Sequence, residues 1–355
     1  MSGGDAFWAA AGECGVASKD GTHAGRLEFA AVATLVTGLG YIGAALVRRL
    51  AQRDGEAGSI VALENFFCTP RGEVEAALPG GVRLIEGDVA EARDVARAFD
   101  ALGSANGQPH VVYHLAAQPS ASVALREPGL TERSNLVGAR VVLESARQRG
   151  ARVVFGGSFR VYGDHTAGTL VDEHTPYGRV GDLSHLSKLY TEQLGRMLGM
   201  PFVSVRLGVT YGLSLIMKTT PAFMTMPNLF CQRAALGQFL EVHSDRPLAF
   251  IHVEDAASAL IAASDRLNAV ELDNDKDEDN VWQVVNAAPE VATIGQVALT
   301  VQRLMQARGG SVQIHGPTSS EATFRVRSSL DADGFKPEHT LSNSLGAVLD
   351  FFHAA

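Results

Sequence analysis

An apolar run (Ala31, Val32, Ala33, Leu35, Val36) leads directly into Thr37-Gly38-Leu39-Gly40-Tyr41-Ile42-Gly43, and an amphipathic stretch from Ala44 to Leu50 leads out of it. The order is strand, glycine turn, helix. No other feature of the chain restricts the fold as strongly. Such a turn strips side chains from backbone that must approach something closely, and it aims the free N–H groups and positive dipole end of the next helix at it. Ile60 to Leu63 form a second apolar run, which stops on Glu64. Together these pieces suit a dinucleotide, with pyrophosphate on the turn and the carboxylate accepting hydrogen bonds from the adenosine ribose hydroxyls. A carboxylate at Glu64 repels a 2′-phosphate, so the expected cofactor is NAD rather than NADP.

The alternation then continues. A strand is predicted at Val82 to Ile85, a helix from Glu91 to Leu102, a strand at Val111 to Leu115, a long helix from about Glu132 to Arg149, a strand at Arg152 to Phe155, a helix from Leu186 to Leu198 and a strand at Phe202 to Leu207. That rhythm predicts right-handed crossovers and an α/β fold, a Rossmann-type doubly wound parallel sheet binding its ligands beyond the carboxyl ends of the strands. After Tyr211-Gly212 the character changes, with Pro221, Pro227, three methionines, a helix near Leu229 to Leu236 and another from Ile294 to Ala307. We expect a flexible extension at 1–28, the dinucleotide-binding domain at 29–212, and a smaller, mostly helical substrate-binding lobe at 213–355 that returns to the first domain near 250–265. The acidic stretch 271–280 reads as a solvated loop, since it lacks the glycine and ligand spacing of a calcium loop.

Composition narrows the partners. A formal charge of −9 with no basic stripe argues against nucleic acid. Cys14, Cys68 and Cys231 are too scattered for a metal site or redox motif and read as free thiols of a cytoplasmic protein. No apolar run reaches the roughly 18 to 20 residues that a membrane span needs, and Met1 to Val16 lacks the regions of a secretory signal.

Several motifs in the same order resemble the extended short-chain dehydrogenase/reductases, the NAD-dependent epimerase/dehydratase family that modifies nucleotide sugars. Thr37 to Gly43 resembles T-G-x-x-G-x-x-G, and Glu64-Asn65 falls where the family has Asp-Asn. Asp88-Val89 resembles the pair beside the adenine, His114-Leu115-Ala116-Ala117-Gln118 the H-L-A-A-Q turn, and Asn135 the asparagine of N-x-x-G. Gly157 to Gly163 resembles S-S-x-x-V-Y-G and puts Ser158 on the catalytic Ser/Thr, while Phe250 to Asp255 and Gly334 to Pro337 resemble F-I-H-V-x-D and G-F-x-P. The resemblance implies that Gly38, Gly40, Tyr41, Ile42, Gly43, Glu64, Asn65, Asp88, Val89, Leu115, Ala116, Ala117, Gln118, Asn135 and Lys188 serve the cofactor. It implies a sugar pocket within reach of Ser120, Ser122, Ser158 and Asn228, with Arg246, Arg325 or Arg327 on a diphosphate. It also implies a homodimer paired through the helices after the fourth and fifth strands.

The resemblance breaks at the catalytic base. The family uses a Tyr four residues before a Lys on one helix face, so that the ammonium lowers the phenol pKa. Lys188 matches the Lys, but Ser184 stands where the Tyr belongs. An alkyl hydroxyl is a poor base. His185, one turn before Lys188, carries an imidazole suited to proton transfer, although an ordinary solvent-facing role is equally open to it. Tyr177, in the preceding loop, is a further candidate, and Tyr162 reads as packing. Phe159-Arg160 replaces the Asp-Glu of 4,6-dehydratases, so the acid that eliminates water is missing. Two readings follow: an epimerase or related sugar oxidoreductase working through a transient keto-sugar with an altered relay, or a degenerate member that binds a dinucleotide as a regulatory or scaffold protein.

Overall fold

Strands covered on both faces must be apolar throughout, and β1 (Thr34–Thr37) and β2 (Ile60–Glu64) are buried at every position except Glu64, which is half-buried. The computed structural model describes residues 33–54, 59–103, 110–164, 168–272, 281–321 and 323–354. The extension expected at 1–28 and most of the acidic stretch 271–280 lie outside the described residues. The chain continues through α1 (Tyr41–Asp54), α2 (Arg71–Ala77), β3 (Arg83–Glu86), α3 (Ala92–Leu102), β4 (Val111–His114), α4 (Ala121–Arg126), α5 (Pro128–Thr131), α6 (Gly138–Gln148), β5 (Arg152–Ser158), β6 (Leu170–Val171), α7 (Leu183–Leu198) and β7 (Phe202–Leu207).

A seven-stranded sheet runs β3, β2, β1, β4, β5, β7 and β11 (Trp282–Ala287), every neighbouring pair parallel. Alternate side chains leave on opposite faces. Val36, Ala62, Tyr113, Val154 and Val205 pack with residues of α1 and α9 (Val253–Leu272). Leu35, Val61, Val112, Val153 and Phe155 pack with residues of α3 and α6. Strand order reverses at β1, which lies between β2 and β4. There Thr37 Oγ1 and His114 Nδ1 are 2.8 Å apart, tying the two strands where their carboxyl ends part.

Beyond Gly212 the chain returns to the first sheet, by α9 near the return expected at 250–265 and then by β11, which lies past it. Both α9 and β11 come from the second half of the chain, and β11 pairs with β7 from Trp282↔Phe202 to Ala287↔Leu207. The proline- and methionine-rich segment before them hides the rhythm. The smaller lobe is helical, with α8 (Met226–Ala235), α10 (Ile294–Ala307) and α11 (Leu341–Ala354) around Phe230, Cys231, Val301, Leu345 and Leu349. It also carries a sheet of β8 (Val209–Tyr211), β10 (Pro247–His252) and β12 (Glu290–Thr293). Among the described residues two further short parallel pairs form, β9 (Leu240–Glu241) with β13 (Ile314–His315) and β6 with β14 (Arg325–Val326).

Two local differences position the site. β5 runs on through Gly156 and Gly157 to Ser158 instead of ending at Phe155. A β-carbon on Gly156 would lie 2.7 Å from the Leu115 side chain, and one on Gly157 would lie 2.3 Å from Ser204 Oγ, so only glycine lets this strand reach its end. The long helix starts early, at α5, and passes through a widened turn at Glu132–Val137 before α6. That turn buries Asn135 against the neighbouring loop.

Candidate active site

At the carboxyl end of β1, Gly38 has φ +86°, and a β-carbon there would lie 2.6 Å from the Ala116 backbone nitrogen; one on Gly43 would lie 1.9 Å from the Gly38 carbonyl oxygen. Both glycines are fixed by close packing of turn, helix and the next loop. Gly40 differs, since a β-carbon there meets nothing within 4 Å. The fold has no need of glycine at that position, and the open space before it belongs to a cavity of about 530 Å³. The first turn of α1 holds no acidic residue to compete for its N–H groups, so the notch suits a pyrophosphate.

Glu64 closes this end. Its Oε2 accepts the Leu39 N–H at 2.6 Å, and its Oε1 accepts the N–H groups of Asn65 and Phe66 at 3.0 and 2.9 Å. The carboxylate thereby fixes the glycine turn to the end of β2 while lining the cavity, its remaining lone pairs able to take ribose hydroxyls. Tyr41, Ile42, Asn65, Val89, Leu115, Ala116, Ala117 and Gln118 share the lining. Asp88 is set apart, bonded to the Ala90 N–H and to Arg133 beside a shallower depression. Asn135 stays behind the wall. Its amide accepts from Gln118 N and donates to Gln118 O and Ser187 Oγ at 2.7, 3.0 and 2.9 Å, so it holds the loop after β4 against α7.

Ser158, Ser184, His185 and Lys188 meet at the cavity's other end. Lys188 Nζ donates to the Gly156 carbonyl at 2.7 Å and lies 4.8 Å from the centre of the Phe155 ring. Burial pushes its pKa down to about 8. Asp182 caps α7 by accepting the His185 N–H at 3.1 Å; its Oδ1 also takes the Ser184 hydroxyl, and its Oδ2 lies 2.6 Å from His185 Nδ1. Burial opposes ionisation of Asp182, but the His185 and Ser184 bonds outweigh it and hold the carboxyl far below its usual range. An ionised carboxylate only accepts, so Nδ1 carries the proton and, in the neutral ring, Nε2 keeps its lone pair. No hydrogen bond to Nε2 is made among the described residues. Asp182 escaped the sequence reading, although an Asp just before an apolar-periodic stretch is a helix-cap signal.

Other expected residues fall elsewhere. Tyr177 is turned away, its hydroxyl donating to Glu192 Oε2 at 3.1 Å and accepting from Arg206 and Gln193 at 3.1 and 2.8 Å. The cause is the buried Glu192–Arg206 pair, 2.8 Å apart, which leaves polar groups that a phenol satisfies. Tyr162 is packing, as expected, its ring against Phe159 and its hydroxyl donating to Asn286 Oδ1 and accepting from Arg206. Ser120 caps α4, and its hydroxyl lies 3.0 Å from that of Ser122; neither lines the cavity. Asn228 is consumed by the Gly212 N–H, the Gly212 carbonyl and the Tyr41 hydroxyl. Arg325 and Arg327 lie on and just beyond β14, outside the lining. Arg246 does line it, with Arg160, Asp164 and Lys218, three residues that no motif singled out for ligand.

A parallel sheet with a glycine notch at its switch point, a carboxylate at the next strand end and a Ser-Lys-His cluster across the cavity define a dinucleotide-binding α/β enzyme class. Residues 34–275 match the model of the NAD dependent epimerase/dehydratase family, and the chain belongs to that family. Its cofactor is NAD, and the notch at Gly40 and the carboxylate of Glu64 fit it. Over 261 residues the chain is 27% identical to a UDP-N-acetyl-alpha-D-glucosaminuronate decarboxylase of Bacillus cytotoxicus, covering 70% of this chain and 77% of that one. Over 146 residues it is 32% identical to a dTDP-glucose 4,6-dehydratase of Mycolicibacterium smegmatis, a match to 40% of this chain and only 42% of the dehydratase. The fold is that of a Brucella ovis UDP-glucose 4-epimerase solved with NAD (TM-score 0.74, 20% identity, covering 91% of this chain and 99% of that one). A Thermus thermophilus UDP-glucose 4-epimerase is similarly alike (TM-score 0.72, 24% identity, covering 91% and 100%). Among the described residues no helix is long and apolar enough to cross a membrane.

Proposed function

We propose that this protein is an NAD-dependent nucleotide-sugar epimerase or related sugar oxidoreductase in which the Asp182–His185 pair replaces the missing tyrosine. One observation carries the reading. His185 sits on the cavity with Nδ1 on an ionised Asp182 at 2.6 Å and Nε2 without a hydrogen-bond partner among the described residues, one helical turn from Lys188. NAD bound at the Gly40 notch supplies the acceptor for the hydride that leaves a sugar carbon. His185 Nε2 takes the proton of the hydroxyl on that carbon, and Asp182 stabilises the imidazolium that results. The Ser158 hydroxyl donates to the sugar oxygen as negative charge builds on it, and the Lys188 ammonium adds its field. Because burial lowers the Lys188 pKa to about 8, that field fades above about pH 8 and turnover falls with it.

Elimination of water at the sugar's 4,6 positions is not supported. Phe159 is buried against Tyr162 and Phe324, and Arg160 is paired with Asp164, so neither position after Ser158 offers an acid. The relatives that act on UDP- and dTDP-sugars favour a nucleoside-diphosphate sugar as substrate. Preference for NAD over NADP, a homodimer and a cytoplasmic location belong to the same proposal. Ser184 in the tyrosine position favours the second reading, a dinucleotide-binding protein without turnover. The test is a thermal-shift panel of UDP-, dTDP- and GDP-sugars on the NAD-loaded protein, followed by product analysis for each stabilising sugar. Only a ligand that binds the native state raises the melting temperature. One sugar nucleotide should stabilise and be converted. Tight NAD binding with no stabilising sugar across the panel would establish the second reading.

A further inference from the structure

Among the described residues, one cation in the cavity wall, Lys218, makes no hydrogen bond and no ion pair. Its ammonium lies deep enough for burial to push the pKa down. A lysine so placed is normally paired, because an ammonium taken out of water without an anion is costly. Lys218 belongs to the segment 213–225 that joins β8 to α8, and both ends of that segment are fastened beside the glycine turn. At its start the Tyr41 hydroxyl donates to the Gly212 carbonyl and the Ser214 hydroxyl donates to the Tyr41 carbonyl, each at 2.6 Å, so the segment begins on the first residue of α1. Met217 Sδ accepts the Ser214 N–H at 3.4 Å, and Ile216 is buried in the same apolar cluster as Leu39 and Tyr41. Toward its far end Phe223 meets Phe67, in the loop after β2, edge to face with ring centres 6.4 Å apart. The segment thus runs from the helix after β1 to the loop after β2, and Lys218 lies between the two fastenings.

We propose that Lys218 is the counter-charge of the NAD pyrophosphate, so that the later half of the chain supplies an ammonium to the same anion that the glycine turn meets with its N–H groups. The assignment rests on NAD as cofactor and is independent of which sugar is turned over. The charge of Lys218 is felt at both ends of the cavity. Burial raises the Cys68 thiol and Lys218 opposes it; burial lowers Lys188 and Lys218 adds to it. Cys68 follows Glu64 by four residues, at the adenosine end, whereas Lys188 stands with Ser158 and His185 at the other. A dinucleotide laid between those ends has its pyrophosphate in the middle, at Gly40, where a β-carbon would meet nothing within 4 Å. The start of α1 offers only about half an elementary charge to that anion. A full ammonium held in the wall supplies what the turn lacks, in surroundings where a charge-assisted bond counts for more than in water. The anion then joins the two halves of the chain, and NAD binding fixes the segment 213–225 in place.

Lys218→Met keeps the length of the side chain and removes its charge. It should raise the Kd for NAD, and for ADP-ribose with the same pyrophosphate, on the order of tenfold, while Lys218→Arg keeps most of the affinity. Titration calorimetry on the cofactor-free full chain reads both ligands. Affinity for NAD should weaken less steeply with salt in Lys218→Met than in wild type, because one charge has left the contact. The free protein should behave in the opposite sense. With no unpaired ammonium in its wall, Lys218→Met should melt at a higher temperature than wild type, and the further rise on adding NAD should shrink. Equal NAD affinity in wild type and Lys218→Met would overturn the assignment. A Lys218→Met protein that melts lower without NAD and keeps the wild-type salt dependence would make Lys218 a structural residue and overturn it as well. UDP titrated into the NAD-loaded protein separates the other source of a diphosphate. Should Lys218→Met weaken UDP and leave NAD unchanged, the ammonium serves the substrate instead and the assignment is wrong.

Discussion

Because a β-carbon at Gly40 meets nothing within 4 Å, Gly40→Val should leave stability within about 0.5 kcal/mol of wild type. It fills the notch instead, and NAD affinity should fall on the order of tenfold or more, measured by fluorescence titration. Unchanged affinity would sink the phosphate-turn assignment. His185→Gln keeps the size of the side chain but loses the base, so kcat should fall on the order of 10²-fold or more while NAD affinity is retained. Tyr177→Phe provides the contrast. Its hydroxyl serves Glu192 and Arg206 outside the cavity, so the variant should lose about 1 kcal/mol of stability and keep its turnover. The opposite pattern, with turnover sensitive to Tyr177 and indifferent to His185, would return the base to the loop before α7.

Among the elements, α7 does two jobs on two faces. Ser184, His185 and Lys188 fall on the face toward the cavity. Leu186 (49% exposed), Tyr190 (36%) and Met197 (84%) fall on the other, separated by the 3.6-residue period, with exposed Leu125 on α4, which packs against α7. In the proposed homodimer this stripe is the face for a second copy of the chain. Leu186→Glu combined with Tyr190→Glu should convert a dimer to a monomer in light scattering, with NAD affinity retained. A monomeric wild type at micromolar concentration would rule the pairing out.

Across the fold as a whole, halves distant in sequence are joined beside the glycine turn: the Tyr41 hydroxyl donates to the Gly212 carbonyl at 2.6 Å, and the Ser214 hydroxyl donates to the Tyr41 carbonyl at 2.6 Å. Buried imidazoles flank this junction. His114 bonds Thr37, and His252 stacks on His339 with ring centres 4.0 Å apart. Burial, aided by neighbouring positive charge, pushes both His114 and His252 down to about 3. Unfolded, each takes up its proton near pH 6.5, so between about 6.5 and 3 the unfolded chain binds more protons than the folded one. Stability is therefore full above pH 6.5 and falls progressively as pH drops toward 3. Denaturant melts at pH 7, 6, 5 and 4 should show that fall, and His114→Gln or His252→Gln should flatten its slope. An equal slope in both variants would assign the acid sensitivity to carboxylates instead.

Features legible along the chain were local and periodic. The run from Ala31 to Gly43, the carboxylate at the end of the second strand and the alternation of short apolar runs with amphipathic stretches are written in neighbouring residues, so the parallel sheet and its glycine turn could be read in advance. Lys188 and the loss of tyrosine at Ser184 came from the family resemblance, not from any local period. What takes its place depends on packing. Nothing in the spacing of Asp182 and His185 says that the cap carboxylate takes two side-chain donors at once, which depends on how α7 starts against the cavity wall. Tyr177 goes to the Glu192–Arg206 pair because burying that pair demands its hydroxyl, and those partners lie 15 and 29 residues away, beyond the reach of any local period. Asn228 and Ser120 were drawn into backbone bonds for the same reason, since buried donors and acceptors must be satisfied before a side chain is free for ligand. Arg160, Asp164 and Arg246 met because a loop after β5 and the approach to β10 share one wall, and the separation of 82 positions between Asp164 and Arg246 is closed only by the folded sheet.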